Sequence, residues 1–382
     1  MSQTMPTSKR SAGITGISVR VIGVRHQRKV TTEGEPRPTE LCILEDGQAQ
    51  RVLLETEDDE LAFVKTACQT TDTYAMVLGG SGDALAVAFA RHGATVMRIP
   101  SFLLKQERGN ADKDDDAELL AKLAVARPEL FYVVSLRDQA IIRVAALWQL
   151  CEKAMQARIA CGNRLQQRLV GRLLMDEGEW PEGKFKDLVK AVKANDGVYQ
   201  ALDADEHRYL REMTKELERL DVYTQLFQPL EGIGPKIAAR IIAAVQDIRR
   251  FPTVNACKAY CGLHVGPEGQ FVRRRHGQVA NYSPVGRQAF YLLTDQFNRR
   301  PKSIWGAKLL ENKRRLREKH PTVEEVEKNG RKVKRYSDGH ILKMAMWRTV
   351  TQFAVWLYFE WWKLEGGWKA PVAEEVAGQA AA

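Results

Sequence analysis

The sequence predicts an N-terminal α/β domain followed by an all-helical remainder. Three observations carry this expectation. Residues 17–134 alternate short apolar runs with amphipathic helical stretches. Residues 135–228 lack such runs and hold one helical apolar stripe for about 40 residues, well beyond an ordinary globular helix. A glycine-punctuated turn at Leu230–Ala238 then opens a strongly basic segment. The expected boundaries are a disordered tail at 1–16, an α/β domain at 17–134 and a coiled-coil helical arm at 135–228. A mainly helical domain at 229–365 and a second disordered tail at 366–382 follow.

In the first domain, strands are expected at Ile17–Val24, Thr39–Leu44 and Arg51–Glu55. Glu45-Asp46-Gly47 marks a hairpin turn between the second and third. Asp58–Cys68 reads as a helix and Tyr74–Leu78 as a strand that stops at Gly79-Gly80-Ser81-Gly82. Asp83 is expected to cap a helix to His92 that ends at Gly93, before a last strand at Ala94–Ile99. Asp112–Ala126 reads as a helix whose first-turn acids complement its dipole. Three antiparallel strands followed by alternating helix and strand make an α/β layout of the ribonuclease-H type.

In the arm, Ile141, Ala145, Trp148, Met155, Ile159, Leu169 and Leu173 form the stripe, which is core or an oligomer seam. Trp180-Pro181-Glu182-Gly183 breaks it, and a second helix is expected from Glu206 to about Phe227. The final helix, Asp338–Leu364, is rich in aromatic residues.

Leu230-Glu231-Gly232-Ile233-Gly234-Pro235-Lys236-Ile237-Ala238 reads L-x-G-I-G-P-K-x-A, a helix–hairpin–helix pattern. Two glycines allow a tight turn at low steric cost. The amides after Gly234 would leave the N-terminus of the next helix, a ready phosphate site, with Lys236 beside it. Gly232, Ile233, Gly234 and Lys236 are therefore candidate nucleic-acid contacts that position without reading sequence. A plain turn between packed helices is the alternative.

Charge favours the first reading. Residues 271–350 hold 20 Lys/Arg against 7 Asp/Glu, or +13, whereas the whole chain carries +10. Cations concentrated in one segment are the footprint of a polyanion partner. Arg273, Arg274 and Arg275, with Arg314 and Arg315, lie in its densest runs. Phe271, Tyr282, Tyr291, Phe297 and Trp305 are interleaved with them; such rings can stack on bases, but most at helical spacing are core, so at most one or two are expected to touch nucleic acid. No membrane span or signal peptide is visible, and six scattered cysteines suit reduced thiols, so a cytoplasmic location is expected.

The order of parts resembles the transposases of insertion sequence family 110 and the related Piv-type DNA invertases, over roughly 17–360. The likeness is strongest at Leu230–Leu263 and at Asp116-Ala117-Glu118-Leu119-Leu120-Ala121, which is similar to the family's D-A-x-x-L-A. It implies a RuvC-like domain with four metal-binding acids, a coiled-coil region and a transposase domain with a helix–hairpin–helix turn and a nucleophilic serine. It further implies Mg²⁺, DNA and structured noncoding RNA as partners, and a homo-oligomer, dimer or tetramer. Of the four acids only Asp116 is in place, with Asp112 displaced by one position. These two are the candidate catalytic and metal-binding residues. Arg25, Gly79 and Lys113 stand where the other acids are expected, and Gly262-Leu263 leads to Glu268 rather than to a serine. Two-metal phosphoryl transfer needs several converging carboxylates. Helix capping accounts for Asp112–Asp116 as readily as a metal does. Two functions therefore stand side by side: a transposase or recombinase working with a guide RNA, and a non-catalytic DNA- or RNA-binding protein on the same scaffold.

Overall fold

A computed structural model describes residues 20–26, 38–177, 182–265, 271–272, 282–328 and 331–366. The chain divides into two compact units, Met1–Val134 and Ser135–Ala382. The expected tails fall almost wholly outside the described residues. Among the described residues, no helix is long and apolar enough to cross a membrane.

The first unit is built on a mixed sheet. Strands β1 (Val21–Arg25), β2 (Thr39–Glu45) and β3 (Gln48–Leu54) form an antiparallel meander. Helix α1 (Glu57–Thr66) leads to β4 (Thr73–Val77), which returns parallel to β1. Helix α2 (Asp83–Arg91) connects to the parallel strand β5 (Thr95–Ile99). Helices α3 (Ser101–Arg108) and α4 (Asp116–Ala126) precede an antiparallel edge strand, β6 (Tyr132–Val133). The strand order is β3-β2-β1-β4-β5-β6. The α/β layout read from the pattern is present, with two further elements that the pattern missed, helix α3 and the edge strand β6.

Side-chain alternation divides the two faces. Ile22, Val24, Tyr74, Met76 and Val96 pack with Phe89 and Leu85 on one side. Ala75 and Ile99 pack with Leu104, Leu120 and Phe131 on the other. On that second side Gly23 meets α4 directly. A Cβ at Gly23 would lie 1.8 Å from the Ala117 carbonyl oxygen and 2.7 Å from the Ala121 nitrogen. Only glycine lets this helix lie so close to the sheet.

Two capping expectations change. Asp83 is the first residue of α2, not its cap; Gly82 occupies the cap position and makes no side-chain cap bond. Asp83 is buried and bonded to Arg98 at 3.1 Å. The acidic helix begins at Asp116, after a 3₁₀ turn at Lys113–Asp115 capped by Asp112.

Among the described residues, the regular structure of the second unit is helical apart from one hairpin and an isolated bridge between Val265 and Phe271. Helix α5 (Leu136–Gly171) starts from a reciprocal cap in which Ser135 and Asp138 satisfy each other's backbone amides. Helices α6 (Phe185–Asn195) and α7 (Gly197–Leu217) follow, and α7 packs along α5. The second arm helix thus starts earlier than its periodicity suggested, and after α7 ends at Leu217 a π-helical segment, Val222–Phe227, reaches the expected end. Helices α8 (Pro235–Val245), α9 (Val254–Tyr260), α10 (Pro284–Arg299) and α11 (Ile304–Lys319) come next. The hairpin of β7 (Glu324–Lys328) and β8 (Arg331–Arg335) leads into α12 (Asp338–Leu364). One core joins Ile141 and Val144 of α5 with Met213, Ile241, Phe290, Phe353 and Trp361. The upper part of the arm's stripe is therefore core, while Ile159 is 47% exposed. The aromatic residues of α12 serve packing: Phe353 contacts Phe290, Phe297, Trp305 and Trp356.

Substituting Gly23→Ala forces a methyl into the backbone of α4, which cannot rotate away. We expect a loss of about 3 kcal/mol or more in the first unit, measured as a lower urea midpoint for the transition reporting on the sheet.

Candidate functional site

In the first unit, two of the positions expected to carry acids, Arg25 and Lys113, meet at the C-terminal end of β1, and Gly79 follows the neighbouring strand β4. Arg25 ends β1, and the loop after β4 begins at Leu78-Gly79 beside it. Arg25 donates to the Lys113 carbonyl oxygen at 3.0 Å and to Asp114 at 2.5 Å, which brings the start of α4 to the same place. Gly79 and Gly80 both have positive φ, 79° and 119°, a backbone suited to glycine.

The carboxylates at this end are held by arginines. Arg25 lies 3.2 Å from Glu40, and its side chain is 14% exposed. Arg51 contacts Asp115 at 3.0 Å and Glu118 at 3.1 Å, with Glu40 at 3.7 Å. These bonds lower the Glu118 carboxyl pKa, Lys122 contributing most. Asp116 is buried, and both its oxygens accept from Arg108, at 2.9 and 2.7 Å. Asp112 accepts from the Asp114 amide at 3.1 Å, so it is a cap. Among the described residues no group of three or more His, Cys, Asp or Glu is arranged to hold a metal ion. A Mg²⁺ pair does not fit this donor set, because Arg25 puts a cation between the carboxylates where an ion would need them converging.

In the second unit, the structure keeps parts of the predicted turn and reassigns others. Gly232 has φ +93°, as a tight turn requires, but Gly234 is extended and forms the N-cap of α8. Ile233 is buried and belongs to the core. Pro235 has no N–H, and the Ile237 and Ala238 amides both donate to the Gly234 carbonyl at 3.1 Å. The first turn of α8 thus offers fewer open donors than the motif suggests. Lys236 does not point into open solvent alone: its ammonium lies 2.6 Å from buried Glu206. The cation against the turn is Arg300, whose Cδ a Cβ at Gly232 would meet at 2.8 Å. It was visible in sequence only as one member of a basic run.

Arg273, Arg274 and Arg275 lie outside the described residues. Arg314 and Arg315 are exposed on α11, paired one turn away with Glu318 at 2.6 Å and with Glu311. In the β7–β8 hairpin Glu324 faces Arg335, Glu325 faces Lys334 and Glu327 faces Lys332. Of the interleaved aromatics, Phe297 and Tyr282 are buried and Trp305 packs against the core. Tyr291 is 48% exposed, and with Phe271 it flanks Trp347.

Burial alone would raise the Glu206 carboxyl, but Lys236 and Arg158 more than offset it and hold its pKa below the ordinary value. A depressed folded pKa contributes stability above the unfolded pKa of about 4.3, and this is lost as pH falls through the folded value. Lys236→Ala should therefore flatten the fall in stability below about pH 4.3, followed by urea unfolding at stepped pH.

A search of curated proteins finds no match to the chain. Residues 224–305, which run from the turn before α8 to the start of α11, match the family described as Transposase IS116/IS110/IS902 family. Over this segment, less than half of the chain, the sequence is similar to the IS116/IS110/IS902 transposases.

Proposed function

We propose that the protein is a transposase- or recombinase-type DNA-binding protein that works as a homo-oligomer with a structured noncoding RNA. The observation that carries this reading is the family match at 224–305 in direct continuity with the segment 271–350 and its +13 charge. The helix–hairpin–helix reading of Gly232–Lys236 gives a contact to one phosphate backbone, with Arg300 as its cation. Arg314 and Arg315 add exposed charge on α11. The strand order of the first unit supports a RuvC-like assignment. The arginine-held acids support a first unit that lacks ordinary two-metal nuclease chemistry. They also favour the second reading, a binding protein on a transposase scaffold without strand cleavage.

Replacing Arg273, Arg274 and Arg275 with Ala should weaken DNA and RNA binding. The slope of log affinity against log salt should fall by about 0.9 for each duplex phosphate contact removed. Superimposable salt titrations of variant and parent would remove these residues from the interface. Light scattering of the same complexes should give a mass of two chains or more; a single chain in every complex would rule out the oligomer.

Metal dependence gives a separate test. Millimolar Mg²⁺ or Mn²⁺ should leave the unfolding midpoint of the free protein unchanged, since an ion that binds only the folded state must stabilise it. Cleavage of duplex or branched DNA that requires the metal and vanishes in Asp116→Ala would refute this reading of the first unit.

A further inference from the structure

The long helix α5 carries a charged face that neither the turn at Gly232 nor the basic segment 271–350 uses. Between Glu152 and Asp176 the chain has no acid and five cations, Lys153, Arg158, Arg164, Arg168 and Arg172. The helical period sorts this stretch into two sides. Cys151, Cys161, Gly162 and Leu169 are buried and mark the inner side. There α6 and α7 come so close that a Cβ at Gly162 would meet Lys193 of α6 at 2.9 Å and Tyr199 of α7 at 3.1 Å. Lys153, Gln156, Asn163, Arg164, Gln167 and Arg168 fall on the opposite side, and all six are exposed.

The cations of this face differ from those on α11. Arg314 and Arg315 each have a carboxylate one turn away. Among the described residues Lys153, Arg164 and Arg168 have no such partner. Arg158 alone of this run turns inward to α7, where its Nε donates to Glu206 at 2.8 Å. Arg164 and Arg168 stand one turn apart, a like-charged spacing that weakens a helix until a counter-charge arrives. The neighbouring helix α7 shows the ordinary solvated pattern, with His207 and Arg208 beside Asp203 and Asp205.

We propose that the outward face of α5, from Lys153 to Arg168, is a docking surface for double-helical RNA. The proposal rests on the nucleic-acid reading above but adds an element that reading does not use. An A-form duplex presents a wide, shallow minor groove with phosphates at its edges and 2′-hydroxyls along it. Lys153 and Arg168 are about 22 Å apart along the helix, and Gln156, Asn163 and Gln167 lie between them. The cations thus meet phosphates at the two ends while the amides meet the groove. A carboxamide both donates and accepts, as a 2′-hydroxyl does, and DNA lacks that hydroxyl. A second copy of the chain does not suit this face, because pairing it with itself sets cations against cations.

The full chain should be titrated with a fluorescein-labelled RNA duplex and with the DNA duplex of the same sequence, each over a range of salt. Arg164→Ala with Arg168→Ala should weaken RNA binding by about tenfold or more. The slope of log affinity against log salt should fall by about 0.9 for each arginine that meets a phosphate. Gln156→Ala with Gln167→Ala should weaken RNA binding while leaving the salt slope and the DNA affinity unchanged. Alanine is the best helix former, so these exposed substitutions should not lower the thermal midpoint; Arg164→Gln with Arg168→Gln replaces the first pair if they do. Equal losses for RNA and DNA in the amide variant overturn the choice of RNA. A lower mass of the free arginine variant in light scattering would assign the face to a contact between copies and overturn the proposal. Arg314→Ala with Arg315→Ala is the reference. Loss of binding there, with none in either α5 variant, sinks the α5 surface and leaves the nucleic-acid reading standing. A folded parent that binds neither duplex sinks both.

Discussion

The contact between Gly23 and the backbone of α4 decides what the first unit can be. A strand and a helix meet there with no side chain between them. That approach carries the acidic start of α4 to the end of β1 and fixes Asp116 inside the protein. With a run of carboxylates brought to a sheet end, charge must be balanced locally. Leaving a buried carboxylate without a partner costs several kcal/mol. Arg25, Arg51 and Arg108 supply the balance from the protein itself.

This choice of counter-ion separates architecture from chemistry. A sheet end that collects acids suits divalent ions when the carboxylates converge without internal cations. Here Arg25 enters from β1 between Glu40 and Asp114, and the loop after β4 carries glycines and a serine. The same edge holds His26 between Ser81 and Glu60.

The second unit rests on a different constraint, the burial of a long aromatic helix. Trp361 and Phe353 of α12 are fully buried, and α5, α8 and α10 close around them. Asn312 of α11 donates to Thr349 and Gln352 of α12, both at 2.9 Å, adding a directional lock to apolar packing. The basic residues are left on outward faces by this arrangement. Several are paired with acids one turn away, and such exposed pairs are weak and screened by salt. They can be exchanged for phosphates at little cost, unlike the buried Glu206, which holds Lys236 more firmly.

Much was legible in the sequence because it depends on local periodicity and composition. The strand alternation, the hairpin at Asp46-Gly47, the span of α12 and the concentration of charge in 271–350 all follow from residue order. So does the absence of acids at Arg25 and Gly79. Pairings across long separations are set only by folding. Lys236 looked like a phosphate ligand, yet α7 brings Glu206 to it from 30 residues away. Arg300 was one cation among many until its stem packed on Gly232. Asp112 and Asp116, four positions apart in one acidic run, become a cap and the partner of Arg108. His26, Glu60 and Ser81 carry no shared motif, since they come from a strand end, a helix and a loop. Their meeting depends on β1, α1 and β4 being placed side by side, and only the tertiary structure does that.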